Sequence, residues 1–110
     1  MNSGNREISI DLATQLLKES KALFTEVFKH GTLTVEFYKP NNVDNQKPHE
    51  RDEVYVIATG AGVFNNGGIK WNFKAGDFLF VPAGVEHRFE QFTENFSTWV
   101  FFYGPVGGEK

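Results

Sequence analysis

Apolar positions along this 110-residue chain repeat with two periods. Near the start, Leu12, Ala13, Leu16 and Leu17 fall on one face of a helix. Asp11 stands where an N-cap belongs, so a helix is predicted over residues 12–21. Before it, Ile8-Ser9-Ile10 has the alternation of a short strand, and residues 1–7 are polar and expected to be loosely held. From Leu23 onward the helical period is lost. Leu33, Val35 and Phe37 alternate with Thr32, Thr34 and Glu36, which predicts a half-buried strand over 32–38. Residues 40–48 form a polar loop, and 54–57 a strand. Residues 62–64 and 69–73 flank Asn65-Asn66-Gly67-Gly68, whose members tolerate the positive φ of a hairpin turn. Further strands are predicted over 78–81, 88–92 and 97–103, before Pro105 and Gly107-Gly108 end the domain.

One helix followed by short strands, with turn signals about every 8–12 residues, predicts an all-β antiparallel sandwich or small barrel. No internal repeat and no low-complexity segment interrupts it. The shift from helix to strands near residue 23 divides the chain into an N-terminal extension (1–22) whose helix packs on the barrel, the barrel itself (23–106) and a short tail (107–110). The chain length fits one domain.

Composition narrows the chemistry. Cysteine is absent, which excludes disulfides, thiolate zinc sites, iron–sulfur clusters and cysteine nucleophiles. The net charge of −3 argues against nucleic acid as a partner. No apolar run approaches the ~18 residues of a membrane helix. No apolar stretch of the signal-peptide kind follows the polar N-terminus, so no membrane association and a cytoplasmic location are expected. The sequon Asn95-Phe96-Ser97 then goes unmodified. Twelve Phe and eleven Gly suit a β-rich, turn-rich fold.

Three histidines are present: His30, His49 and His87. His30 precedes Gly31 at a turn between strands and is expected at the surface. His49 and Glu53 would lie ~13 Å apart on one straight strand, too far to share an ion. The charged, strand-averse Glu50-Arg51-Asp52 between them allows the chain to reverse. Beyond it Glu53, Tyr55 and Ile57 share one face. His87, Phe89 and Gln91 share a face after the turn Pro82-Ala83-Gly84. If both faces look into the barrel, His49, Glu53 and His87 converge as two imidazoles and a carboxylate, a set that leaves coordination positions open. The alternative is a polar cluster without metal. A carboxylate buried with no cation is costly, which favours the ion.

These residues resemble the cupin superfamily, in particular its small single-domain members. The first cupin motif runs glycine, five residues, His-x-His, three or four residues, Glu, six residues, Gly. Here His49, three residues, Glu53, six residues and Gly60 follow it. The second runs Gly, five residues, Pro-x-Gly, two residues, His, three residues, Asn. Here Gly76, five residues, Pro82-Ala83-Gly84, His87 and Gln91 follow it. There are three departures: Lys47 replaces the first His, Asn41 the first Gly, and Gln91 the final Asn.

The resemblance implies a jelly-roll barrel. It implies a divalent ion (iron, manganese, nickel or zinc) on His49, Glu53 and His87, a small-molecule ligand, and a homodimer. Gln91, Tyr55 and Lys47 are the expected substrate contacts. Lys47 has two readings, a solvated charge at the barrel mouth or an anchor for an anionic substrate. A metal-dependent enzyme of oxygenase or isomerase type is one functional expectation. A non-catalytic ligand binder or sensor is another, and a structural module filled by its own Phe side chains a third.

Overall fold

A computed structural model describes residues 6–110, so the expectation for the first five residues lies outside the described part. One helix, α1 (Ile10–Ser20), precedes eight strands: β1 (Phe24–His30), β2 (Leu33–Tyr38), β3 (Asp52–Thr59), β4 (Ala61–Asn66), β5 (Ile69–Lys74), β6 (Phe78–Val81), β7 (His87–Glu90) and β8 (Ser97–Tyr103). They form a five-stranded sheet in the order β1-β2-β8-β3-β6 and a three-stranded sheet in the order β5-β4-β7, with antiparallel pairing throughout. The two sheets face each other without closing. The class is the expected all-β one with a short N-terminal helix. No helix of the described residues is long and apolar enough to cross a membrane.

The helix starts earlier than predicted. Ser9 is the N-cap, its Oγ accepting the Leu12 N–H at 3.0 Å. Ile8-Ser9-Ile10 is therefore a cap and first turn, not a strand. Asp11 sits in the first turn, where a negative charge suits the helix dipole. Ala13 and Leu17 bury against Val27, Val35 and Phe37 on the outer face of the large sheet.

That packing sets which face of β2 looks into the barrel. Val35 and Phe37 point outward under the helix, so Glu36 and Tyr38 point into the barrel. Both faces of the strand are covered, and simple alternation misassigns which one is the interior. Alternation does not mark β1, because its register slips between Glu26 and Phe28, a bulge that breaks the period of two.

Between the sheets lies an aromatic core. Phe89 is its hub, with ring centroids 4.6 Å from Phe64, 4.7 Å from Phe96, 4.9 Å from Tyr55 and 5.4 Å from Phe73. The Phe side chains thus fill the interior at this end. The first-motif glycine is explained by crowding: Gly60 has φ +87°, and a Cβ there would lie 2.6 Å from Phe96 Cα.

The segment after Gly104 is tied down. The Gly107 N–H donates to Glu50 O at 2.7 Å, and the Glu109 N–H to Asp52 Oδ2 at 2.9 Å. Asp52 Oδ1 also accepts the Ala83 N–H at 2.9 Å, and these backbone donors hold its carboxyl below the usual carboxylate range. Asp52 is therefore a clasp between the C-terminal segment, β3 and the turn before β7. It is not a member of the site, as its opposite direction from Glu53 along β3 requires.

Candidate metal centre

His49, Glu53 and His87 come from three different parts of the fold. Glu53 is on β3, facing inward from the large sheet. His87 opens β7 in the small sheet. His49 lies in the loop before β3. The chain bends at Glu50 and Arg51, which brings His49 Nδ1 to 2.9 Å from Glu53 Oε1. The turn Pro82-Ala83-Gly84 docks on the same loop: the Gly84 N–H donates to His49 O at 2.7 Å. Gly84 has φ +80°, a conformation that costs glycine little. The turn thus fixes both histidines against one carboxylate. One ligand atom from each residue lies within 4.8 Å of the others.

The hydrogen bonds fix the tautomer of His87. Its Nδ1 is 2.9 Å from Val85 O, and a carbonyl only accepts, so Nδ1 carries the proton. In the neutral ring Nε2 is then left with a lone pair. That atom lies 3.1 Å from Glu53 Oε1, yet it has no hydrogen-bond partner, and neither does Glu53 Oε2. The 3.1 Å approach is one of charge without hydrogen-bond alignment. Two acceptors face each other unless a proton or a cation lies between them. Each buried orphan costs about 1–3 kcal/mol. A divalent ion receiving both lone pairs removes that cost, so the donor set fits a metal. His49 would complete it as the third ligand.

Around the cluster hydrogen bonding and burial both shift the titrating groups. The His49 imidazole is pushed up from its ordinary value, chiefly by its hydrogen bond to Glu53, with burial opposing. The Glu36 carboxyl is also pushed up, chiefly by burial and further by Glu26 and Glu53, while His49 pulls it down. Burial holds the Tyr55 phenol well above its ordinary value.

Asp44, which nothing in the motifs marks, anchors the loop. It is 1% exposed. Its Oδ1 accepts the Tyr38 O–H at 2.7 Å and the Gln46 N–H at 3.1 Å. Its Oδ2 accepts Gln46 Nε2 at 3.1 Å and the Phe89 N–H at 2.8 Å. The loop is thereby pinned to both sheets. Gln46 is turned inward, where its Oε1 accepts the Tyr55 O–H at 3.1 Å.

The expected substrate contacts fall differently. Tyr55 is fully buried, its ring between Phe64 and Phe89 with His87 6.0 Å away; it supports the centre from behind. Lys47 is exposed, and its neighbour Gln46 takes the inward position. Gln91 is also exposed: β7 ends at Glu90, and φ +48° at Gln91 breaks the alternation that placed it beside His87. His30 is exposed at the end of β1.

Access is from the His49 side. The His49 side chain is 32% exposed, whereas those of Glu53 and His87 are 1% and 0%. His49 borders a cavity of about 350 Å³ lined also by Phe24, Glu36, Tyr38, Gln46, Val100 and Phe102. That volume is in the range of small-molecule sites.

Comparison with known proteins agrees with this architecture. The family described as "Cupin domain" matches residues 34–101. An uncharacterised protein of Streptomyces coelicolor is 37% identical over 62 residues, 56% of this chain and 59% of its own length, so the match spans less than two thirds of that relative. Among solved structures, KdgF from a Halomonas species superposes with a TM-score of 0.63 at 19% identity, covering 74% of this chain and 78% of its own. A Cupin 2 conserved barrel domain protein from Salinispora arenicola gives 0.62 at 17% identity, covering 74% of each chain. At these identities the structural likenesses speak for the fold alone.

Proposed function

The chain belongs to the cupin family, and we propose that its barrel holds a divalent metal ion on His49, Glu53 and His87 and uses it on a small polar molecule, as a metal-dependent enzyme of oxygenase or isomerase type. The observation that carries this is the pair of buried, unpartnered acceptors, Glu53 Oε2 and His87 Nε2, aimed into one cluster. A bound ion would supply Lewis acidity with coordination positions left for ligand. Iron, manganese, nickel and zinc all accept two imidazoles and one carboxylate. The protein's part is to orient the ligands: Val85 O holds the His87 tautomer, Asp44 holds the loop that carries His49, and the Phe cluster keeps water from the rear.

A second reading, a non-catalytic binder or sensor using the same centre, is favoured by one observation. Lys47 and Gln91 are exposed, so neither joins the centre as a polar group acting on the ligand. Turnover of a bound ligand by the metal-loaded protein separates the two.

The test is thermal unfolding of chelator-treated protein across pH, with and without zinc or manganese. Without metal, His49 contributes stability that is present below its unfolded value of 6.5 and is lost as pH rises through its raised folded value. Glu36, also raised in the folded state from 4.5, acts in the same direction at lower pH. Asp52 and Glu90, both held low, act the other way at acid pH, so the metal-free midpoint is expected to fall as pH rises above the carboxylate range, through the His49 titration. Added metal displaces the proton from His49, so its stabilisation should grow over the same range. At a hundredfold excess over Kd it should reach roughly 2.7 kcal/mol, or about 10 °C. A midpoint unmoved by any divalent ion at any pH contradicts the proposal.

The homodimer is part of the same proposal. Phe78 and Phe80, on the edge strand β6, are 65% and 41% exposed and lie on the same sheet face as Val54 and Val56. Light scattering should give twice the chain mass of 12.5 kDa, and a mass of 12.5 kDa removes the dimer.

A further inference from the structure

The cavity on the open side of His49 has an unusual balance of groups for a site expected to take a polar molecule. Its lining carries a carboxylate, Glu36, and includes no lysine or arginine. The charges that act on Glu36 are His49 and two further carboxylates, Glu26 and Glu53. Glu26 is its direct cross-strand partner on β1, at the exposed rim. Phe24, Val100 and Phe102 give the cavity apolar walls, and Gln46 adds a side-chain amide already engaged with Asp44 and Tyr55. Lys47, the one base expected to recruit an anion here, is exposed outside this lining.

We propose that this cavity is the ligand compartment of the protein and that Glu36 sets its selectivity: it accepts a hydrogen bond from a small, non-anionic ligand, a hydroxyl or an ammonium group borne on an apolar body, and disfavours carboxylates and phosphates. This rests on the metal-centre reading only for what the ligand meets at its far end, beyond His49. The selectivity itself follows from charge. An ionised acceptor at a half-buried position strengthens a hydrogen bond to a donor and repels an anion, with little solvent to screen either effect. The aromatic walls add attraction for an ammonium head. The apolar rings accommodate a branched aliphatic body, which a wholly polar cavity would not.

Three probes with one carbon skeleton test this: isoamylamine, isoamyl alcohol and isovalerate. Each is titrated against the full chain and its Glu36→Gln variant by amide chemical-shift mapping, at about pH 8, above the ordinary carboxylate range. The titrations are run on chelator-treated and on zinc-loaded samples, with zinc content measured on each. In wild type, the amine or the alcohol should bind more tightly than isovalerate in the chelator-treated protein, with shifts centred on residues 24, 36 and 102. A tighter amine identifies the ammonium source, and a tighter alcohol the hydroxyl source. In Glu36→Gln, the ratio of amine to carboxylate affinity should fall about tenfold, with the alcohol changed least and zinc content unchanged. A ratio equal in the two proteins, shifts centred elsewhere, or no binding of any probe overturns the proposal. Zinc content separates this from the metal-centre reading. Full loading with an unchanged ratio removes Glu36 and leaves the centre standing. No loading in either protein removes the centre, while the chelator-treated titrations still decide Glu36.

Discussion

Replacing His87 by alanine is expected to empty the metal centre and leave the barrel folded. His87 supplies one of three donors, and its Nε2 is fixed toward Glu53 by the Nδ1–H bond to Val85 O. Without it the centre keeps only His49 and Glu53, already hydrogen-bonded to each other at 2.9 Å through Glu53 Oε1. Metal affinity should fall by at least about a hundredfold. The stability cost is moderate because two terms oppose. A buried ring beside Tyr55 and Phe64 is lost, but so is an orphaned acceptor. The net should be about 1–3 kcal/mol, against a total of roughly 5–15 kcal/mol for a domain. Elemental analysis beside a circular-dichroism melt reads both quantities. Stoichiometric metal in a folded His87→Ala protein would show that the ligand set is wrong.

The second large effect is expected at Asp44, outside the centre. Its two oxygens accept four hydrogen bonds from β2, β7 and its own loop. In Asp44→Asn, one oxygen becomes an NH₂ group that must face donors. Placed either way, the amide opposes its NH₂ to an N–H or O–H that the carboxylate had accepted. Hydrogen bonds to a charged group contribute about 1.5–3 kcal/mol each, and a buried donor left unsatisfied costs about 1–3 kcal/mol. The variant should lose about 3 kcal/mol in a denaturant melt, and its metal affinity should fall with the loosened His49 loop. A loss under about 0.5 kcal/mol, within the range of surface changes, would mean that Asp44 does not pin the loop.

His87 and Asp44 also mark what a sequence of this kind discloses. His87, Glu53 and Gly60 stand at spacings that a motif can carry, because the turn and the strand between them have fixed lengths. β6 and β8 are legible for a similar reason: short apolar runs bounded by Gly, Pro and Asp end where the structure ends them. Asp44 is hidden because its partners are the backbone of Phe89 and the hydroxyl of Tyr38, brought near only by the fold. In sequence it is one more polar residue of a polar loop. Glu36 is hidden by the helix. With α1 covering the outer face, both faces of β2 are covered, and alternation alone does not identify the interior. Gln91 is misplaced for a local reason, a left-handed residue that ends β7 at Glu90, two positions before the predicted end. Of the two readings of Lys47 its exposure agrees with the solvated charge, because Asp44 selects Gln46 as the inward residue of the loop.

The central claim is that His49, Glu53 and His87 bind a metal ion. It is tested most directly by elemental mass spectrometry of the untagged protein beside its His49→Ala variant, both purified without chelator and again after anaerobic reconstitution. Near-stoichiometric iron, manganese, nickel or zinc in the wild type, lost in the variant, is the expected result. Metal absent from the wild type even after reconstitution, or retained equally by the variant, would contradict the account.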